Sequence, residues 1–176
     1  MSDSDHETPR LGVIVYDGDI EVEPVLAAVR DRLRAEGRLK LGGVVPRWGE
    51  LLSNGKHEML LDDLVQEATY VISQDLGPGA EACVLDADGL TRMRLAIQYA
   101  VETGVDLLIA GKYGKQEAAG HGIREEIGLA VIADLPVLLA LRETQIDSWN
   151  AFAGGPWDRL PPDTDAVVAW ANRVTA

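Results

Sequence analysis

Apolar and polar positions along the chain follow two rhythms, short unbroken apolar runs and single apolar faces at helical spacing. Leu11 to Tyr16 is an apolar run closed by Asp17-Gly18-Asp19, which predicts a buried strand ending in a turn. Val25, Leu26, Val29 and Leu33 then recur at helical spacing, with Pro24 suited to a first turn and Gly37 to a stop. "LKLGGVVP" predicts a second strand, with a polar, flexible stretch from Arg47 to Lys56 after it and a short extra strand at "EMLLDDL". Thr69 to Ser73 predicts a further strand, followed by a loop whose Gly77-Pro78-Gly79 cannot continue regular structure. Asp86 or Asp88 is placed to cap a helix whose Leu90, Met93, Ile97 and Val101 share a face, ending near Gly104. Asp106 to Gly111 is the next strand, Ile123, Ile127, Ala130 and Val131 mark a helix, and "LPVLLAL" makes another buried strand. A last helix is expected from Thr164 to Val174, and Arg142 to Pro162 is expected to be irregular.

Continuous apolar strands alternating with one-faced helices indicate an α/β protein, a mainly parallel sheet with helices on both faces. Residues 1–9 are polar and acidic and are expected to form a frayed tail, with 10–176 a single domain and 142–176 its C-terminal appendage. A chain of 176 residues can bury roughly 70% of its unfolded surface. Aromatic residues at 5% leave the core to aliphatic side chains. The net charge of -13 argues against nucleic acid and anionic membranes as partners, so any anion site must be a local exception. Cys83 stands alone, which rules out an internal disulfide, suits a reducing cytoplasm and reads as a small buried hydrophobe. No apolar run approaches the ~18 residues of a membrane span, so no membrane insertion is expected.

In open α/β sheets ligands bind beyond the carboxyl ends of the strands. The segments there are Asp17 to Glu23, Pro46-Arg47-Trp48, "SQDLGPGA", "KYGKQE" and "RETQ". A phosphate-binding loop would read Gly-x-x-x-x-Gly-Lys-Ser/Thr, and the chain has no match to it. Its first turn instead carries Asp17, Asp19, Glu21 and Glu23. Each carboxylate about 6 Å from a phosphate would oppose it by about 3 kcal/mol at an effective dielectric of about 20. Asp17 and Asp19 read either as oxygen ligands for a hard cation or, more plainly, as solvated acids favoured at a helix N-terminus. "GPGAEA" formally fits a dinucleotide pattern, but Pro78 separates its glycines and no helix opens after Ala82. A tight loop is the better reading, with the amides of Gly77, Gly79 and Ala80 available as a small anion nest. Lys112 and Lys115, beside Gly111, Gly114 and Gly120, form either an anion pocket or a solvated turn whose lysines pair with Glu117, Glu125 or Glu126. His57 and His121 lack metal-ligand spacing, and Ser73 has no readable histidine partner. Trp48, Trp149, Trp157 and Trp170 are expected to cover core edges.

"SQDLGPGAEACVLD", "DLLIAGKYGKQEAAGHG" and "WNAFAGG", in this order, resemble the bacterial family known as domain of unknown function 2478. Its members show a Ser-Gln-x-Leu-Gly-Pro-Gly-Ala loop, an Asn-Lys-Phe-Gly-Lys-Gln-Glu turn and a Phe-Ala-Gly-Gly close, and the resemblance runs from about Leu11 to Gly155. It implies a distant branch of the P-loop nucleoside triphosphatases with degenerate Walker motifs and a three-layer α/β/α fold. The labels some members carry add a link to molybdenum transport. By the same resemblance the first strand and its helix take the Walker A place, and Asp106 to Lys112 the Walker B place. This chain departs from both patterns, lacking the phosphate lysine and the Ser/Thr and placing Gly111 and Lys112 where an acid pair would stand. Without a magnesium ligand, in-line phosphoryl transfer has little to stabilise it.

The expectation is a cytoplasmic small-ligand-binding protein that holds a small anion or nucleotide at the C-terminal rim of the sheet without ordinary hydrolysis. Lys112, Lys115 and Arg47 would supply charge, Ser73, Gln74, Gln116 and Glu117 hydrogen bonds, and Gly77, Gly79 and Ala80 bare amides. One alternative is a divergent nucleoside triphosphatase or phosphotransferase in which Asp17, Asp19 and Glu117 hold magnesium, the only reading that brings in a cofactor. The other is an interaction module whose Trp-bearing C-terminal stretch docks a partner or a second copy.

Overall fold

The computed structural model describes residues 10–74, 84–85 and 87–176. Its elements run β1 (Leu11–Tyr16), α1 (Glu23–Glu36), β2 (Leu41–Leu51), β3 (His57–Asp63), β4 (Ala68–Val71), β5 (Ser73–Gln74) and β6 (Val84–Leu85). They continue with α2 (Ala87–Thr103), β7 (Leu107–Lys112), α3 (Lys115–Ala118), α4 (Arg124–Ile132), β8 (Val137–Arg142), a 3-10 turn (Glu143–Gln145), α5 (Ile146–Ala153), β9 (Asp158–Leu160) and α6 (Thr164–Val174).

Among the described residues seven strands form one sheet in the order β4-β3-β2-β7-β8-β1-β9, and β5 and β6 pair as a separate two-stranded ribbon. The β2-β7-β8-β1-β9 portion is parallel, and β3 and β4 extend it as an antiparallel meander. Alternate side chains of β1 separate the two cores. Val13 and Val15 face a layer built from α2, α4 and α5, while Ile14 and Tyr16 face α1 and α6. Helix α1 starts with Pro24 in its first turn and stops at Gly37 in the left-handed conformation, as its sequence predicts. Helix α6 is capped by Asp163, whose carboxylate accepts from the Ala166 amide at 3.1 Å.

Three stretches differ from the sequence expectation. Arg47 to Leu51, expected to be flexible, continues β2 and pairs with β3; its residues are half exposed, so a solvated hairpin arm reads as a polar loop. The strand around Thr69 is the antiparallel edge of this meander rather than a parallel core strand. Arg142 to Pro162, expected to be irregular, supplies α5 and β9, and β9 adds to the sheet beside β1. The tryptophans differ too, because Trp149 and Trp170 are fully buried core residues rather than edge covers. Trp170 packs so closely on β1 that a Cβ at Gly12 would lie 2.5 Å from its ring, and its indole N–H donates to Asp158 at 2.9 Å.

One irregularity decides what the end of β7 presents. Leu108 and Ile109 pair with Val137 and Leu138, but Lys112 pairs with Ala140, so β7 holds one extra residue there. Gly111 makes this bulge with a φ of 76°, a value that favours glycine or, next best, asparagine. Without the bulge Lys112 would share the face of Leu108 and Ala110. With it, Lys112 faces α1.

Candidate functional site

The C-terminal ends of β1, β7 and β8 converge above α1, where a P-loop protein would hold phosphate. In the P-loop pattern the lysine enters at the start of the helix that follows the first strand. The first residue of α1 here is Glu23. Its carboxylate accepts from the Lys112 ammonium at 2.5 Å, with the two side chains 10% and 32% exposed. The usual charges are thus reversed, an acid at the head of the helix and a lysine at the end of the neighbouring strand. Arg142 braces the same place, donating to the Gly18 carbonyl at 3.1 Å and lying 5.0 Å from the centre of the Tyr16 ring. Burial lifts the Tyr16 phenol above its usual value, against the pull of the Lys112 and Arg142 charges. Asp17 and Asp19 lie exposed on the turn, with Asp17 accepting from the Gly18 amide at 2.7 Å. Among the described residues no three acids, histidines or cysteines converge as metal ligands, so Asp17, Asp19 and Glu117 do not form a magnesium site. A magnesium triphosphate does not fit this donor set.

A different opening lies on the other side of Lys112. A cleft of about 580 Å³ separates β7 and α3 from β3 and α2. Pro46, Met59, Ile72, Ala87, Leu90 and Met93 make its apolar walls, and Lys112, Lys115, Gln116 and Glu117 bring its polar groups. Lys115 and Gln116 are exposed, and neither side chain has a partner among the described residues. Glu117 is buried at 7% exposure, and its carboxylate accepts from the backbone N–H groups of Gly114, Ile123 and its own residue. The amides beyond β7 that sequence reading offered to a ligand therefore already serve an internal anion. Burial pushes the Glu117 carboxyl above the ordinary glutamate range, and those amides and the Lys112 charge only partly offset it.

Of the other expected site residues, the structure describes the side chains of Ser73 and Arg47. Ser73 lies close by, with its hydroxyl accepting from the Met59 amide at 2.9 Å. Arg47 turns to the opposite edge of β2, where it donates to Asp62 at 2.8 Å and reaches Thr69 at 3.5 Å. Arg30 meets the same Asp62 oxygen at 2.6 Å. Burial works to raise the Asp62 carboxyl, but hydrogen bonds from Arg47, Thr69 and Arg30 outweigh it and hold the group below its usual value. Gly77, Gly79 and Ala80 lie outside the described residues, as does the side chain of Gln74. The lysines do not pair as the solvated-turn reading had it, since Glu125 and Glu126 both bind Arg94. Sequence reading missed the apolar walls and the pairing of Glu23 with Lys112. For Glu117 the spacing Gly114-x-x-Glu117 was a usable signal, because an acid three residues into a helix reaches back to its first amides.

A family profile described as Protein of unknown function (DUF2478) matches residues 11–170. The chain belongs to this family. A relative of this DUF2478 chain, the Molybdenum import ATP-binding protein ModC 2 of Bradyrhizobium diazoefficiens, is 36% identical over 162 residues, which is 92% of this chain and 18% of that protein. The chain therefore spans less than a fifth of that relative's length. Two solved structures share its architecture. A human cancer-related nucleoside triphosphatase superposes with a TM-score of 0.59 at 8% identity, over 95% of each chain. THEP1 from the hyperthermophile Aquifex aeolicus gives 0.56 at 12% identity, over 89% of this chain and 95% of its own. At such identities the likeness is one of fold alone, a P-loop-NTPase-like α/β sheet with helices. No helix among the described residues is long and apolar enough to cross a membrane.

Proposed function

We propose that this protein is a non-hydrolysing ligand binder of the cytoplasm that holds a nucleotide or a comparable small organic anion in the cleft beyond β7. The carrying observation is an apolar-walled opening of about 580 Å³ whose rim holds Lys115 and Gln116, neither side chain having a partner among the described residues. A volume of this size with mostly apolar walls and a few polar groups suits a small organic molecule. The Glu23–Lys112 pair supports the non-hydrolysing part, since it stands where phosphate and magnesium would need the opposite charges. A link to molybdenum handling is suggested by the name of the Bradyrhizobium relative, and molybdate is the inorganic candidate. The cleft walls favour an organic ligand over a bare tetrahedral oxyanion, which would leave the apolar surface uncovered.

Isothermal titration with ATP, GTP, AMP, molybdate, sulfate and phosphate tests this reading. Heat from at least one nucleotide, abolished when Leu90→Trp fills the cleft, is expected. Magnesium-dependent phosphate release is expected to stay at background. Release that disappears in Asp17→Ala would establish the phosphatase alternative instead.

A further inference from the structure

We infer that the cleft selects ligands of low charge, a flat heterocyclic body carrying at most one phosphate-type group, over a magnesium triphosphate. This deepens the reading of the same cleft and rests on it. The charge inventory carries the argument. Two ammonium groups line the opening, and Lys112 is consumed by Glu23 at 2.5 Å. That leaves Lys115. The amides of Gly114 and Ile123 are also committed, to Glu117. One lysine offsets half or more of the roughly -1.5 to -2 charge of a phosphate monoester, whereas the further phosphates of a triphosphate would meet no further lysine or arginine of the cleft, and the magnesium that accompanies them would find no cluster of acidic ligands among the described residues.

The body of the ligand follows from the walls. Met59 on β3 and Met93 on α2 offer pliable, polarizable surface to an unsaturated ring, and Ile72 and Leu90 extend it. Gln116 supplies both a donor and an acceptor at the rim, and Glu117 adds a carboxyl on the floor. Such groups read the edge of a nitrogen heterocycle, which a bare oxyanion does not possess.

The test is a titration of adenosine, AMP, ADP and ATP, and of the matching guanosine series, with and without magnesium, on the whole protein and on Lys115→Ala. Lys115 is exposed, so the variant is expected to fold. In at least one series the monophosphate is expected to bind about tenfold or more tightly than the magnesium triphosphate. Lys115→Ala is expected to weaken the monophosphate about tenfold and to leave the nucleoside within about twofold. A magnesium triphosphate that binds as tightly as its monophosphate overturns the inference while leaving the cleft as a nucleotide site. Binding of molybdate, sulfate or phosphate without any nucleoside overturns it too, leaving an anion pocket. No binding by any of them removes the cleft reading and this inference together.

Discussion

Two openings at the same rim of the sheet, one above β1 and β8 and one beyond β7, have exchanged the roles their positions suggest. The first lies at the topological switch point, where the path from β1 crosses one face through α1 and the path from β8 crosses the other through α5. Open α/β sheets usually bind ligands there. Here it is occupied by Glu23, Lys112 and Arg142. The second lies away from the switch point, where the antiparallel meander and α2 stand off from β7, and it holds about 580 Å³. The contrast teaches that a fold can keep a ligand rim while changing which part of it is open, and that side-chain charge decides which.

The largest effect should come from breaking the occupied site. Lys112→Ala strands a nearly buried Glu23 carboxylate and is expected to cost about 3 kcal/mol in urea unfolding, whereas Lys115→Ala should cost under about 0.5 kcal/mol. The double variant Glu23→Gln, Lys112→Met should return to within about 1 kcal/mol of the parent, because no lone charge remains. Equal losses for Lys112→Ala and Lys115→Ala would end the contrast. Next, Leu90→Trp is expected to lower nucleotide affinity by about 30-fold, roughly 2 kcal/mol, and to leave the urea midpoint nearly unchanged. An effect of comparable size concerns the bulge. Gly111→Val, at a φ of 76°, is expected to cost about 2 kcal/mol, and Gly111→Asn under about 1 kcal/mol.

The smallest effect is a pH dependence. The Glu117 carboxyl is raised in the folded protein, chiefly by burial. Its protonated form is therefore favoured by folding, and that contribution is whole below the ordinary glutamate value and is lost as pH rises through the raised folded value. Relative to Glu117→Gln, the parent should gain stability on acidification from neutral pH. Urea unfolding at several pH values would reveal it, and a parent that loses ground on acidification would show that the amides, not burial, govern this group.

Much of the fold was legible because burial imposes periodicity. Leu11 to Tyr16 and Thr164 to Val174 have the bounds their patterns predict. Arg47 to Leu51 was not legible because an antiparallel arm wet on one side looks polar, nor was β9, whose three residues are too few to show a rhythm. The site was legible in part. The lysines announced a special turn, but their partners could not be seen, since Glu23 lies in α1 and Lys112 in β7 and no local pattern ties them. The apolar walls come from β2, β3 and α2 as well as the turn, so they exist only once the sheet has formed.

The place of β1 has a further consequence. It lies between β8 and β9, with Leu11 opposite Val137 and Ile14 opposite Leu160. During translation β1 leaves the ribosome before either neighbour exists, an apolar ribbon bare along one edge until β8 is complete at residue 142 and along the other until residue 160 has been added, after which Trp170 can settle over Gly12. Such a ribbon is a template for mispairing with other nascent chains. The strand order that gives the finished molecule its rim thus leaves its first strand waiting for partners through most of synthesis.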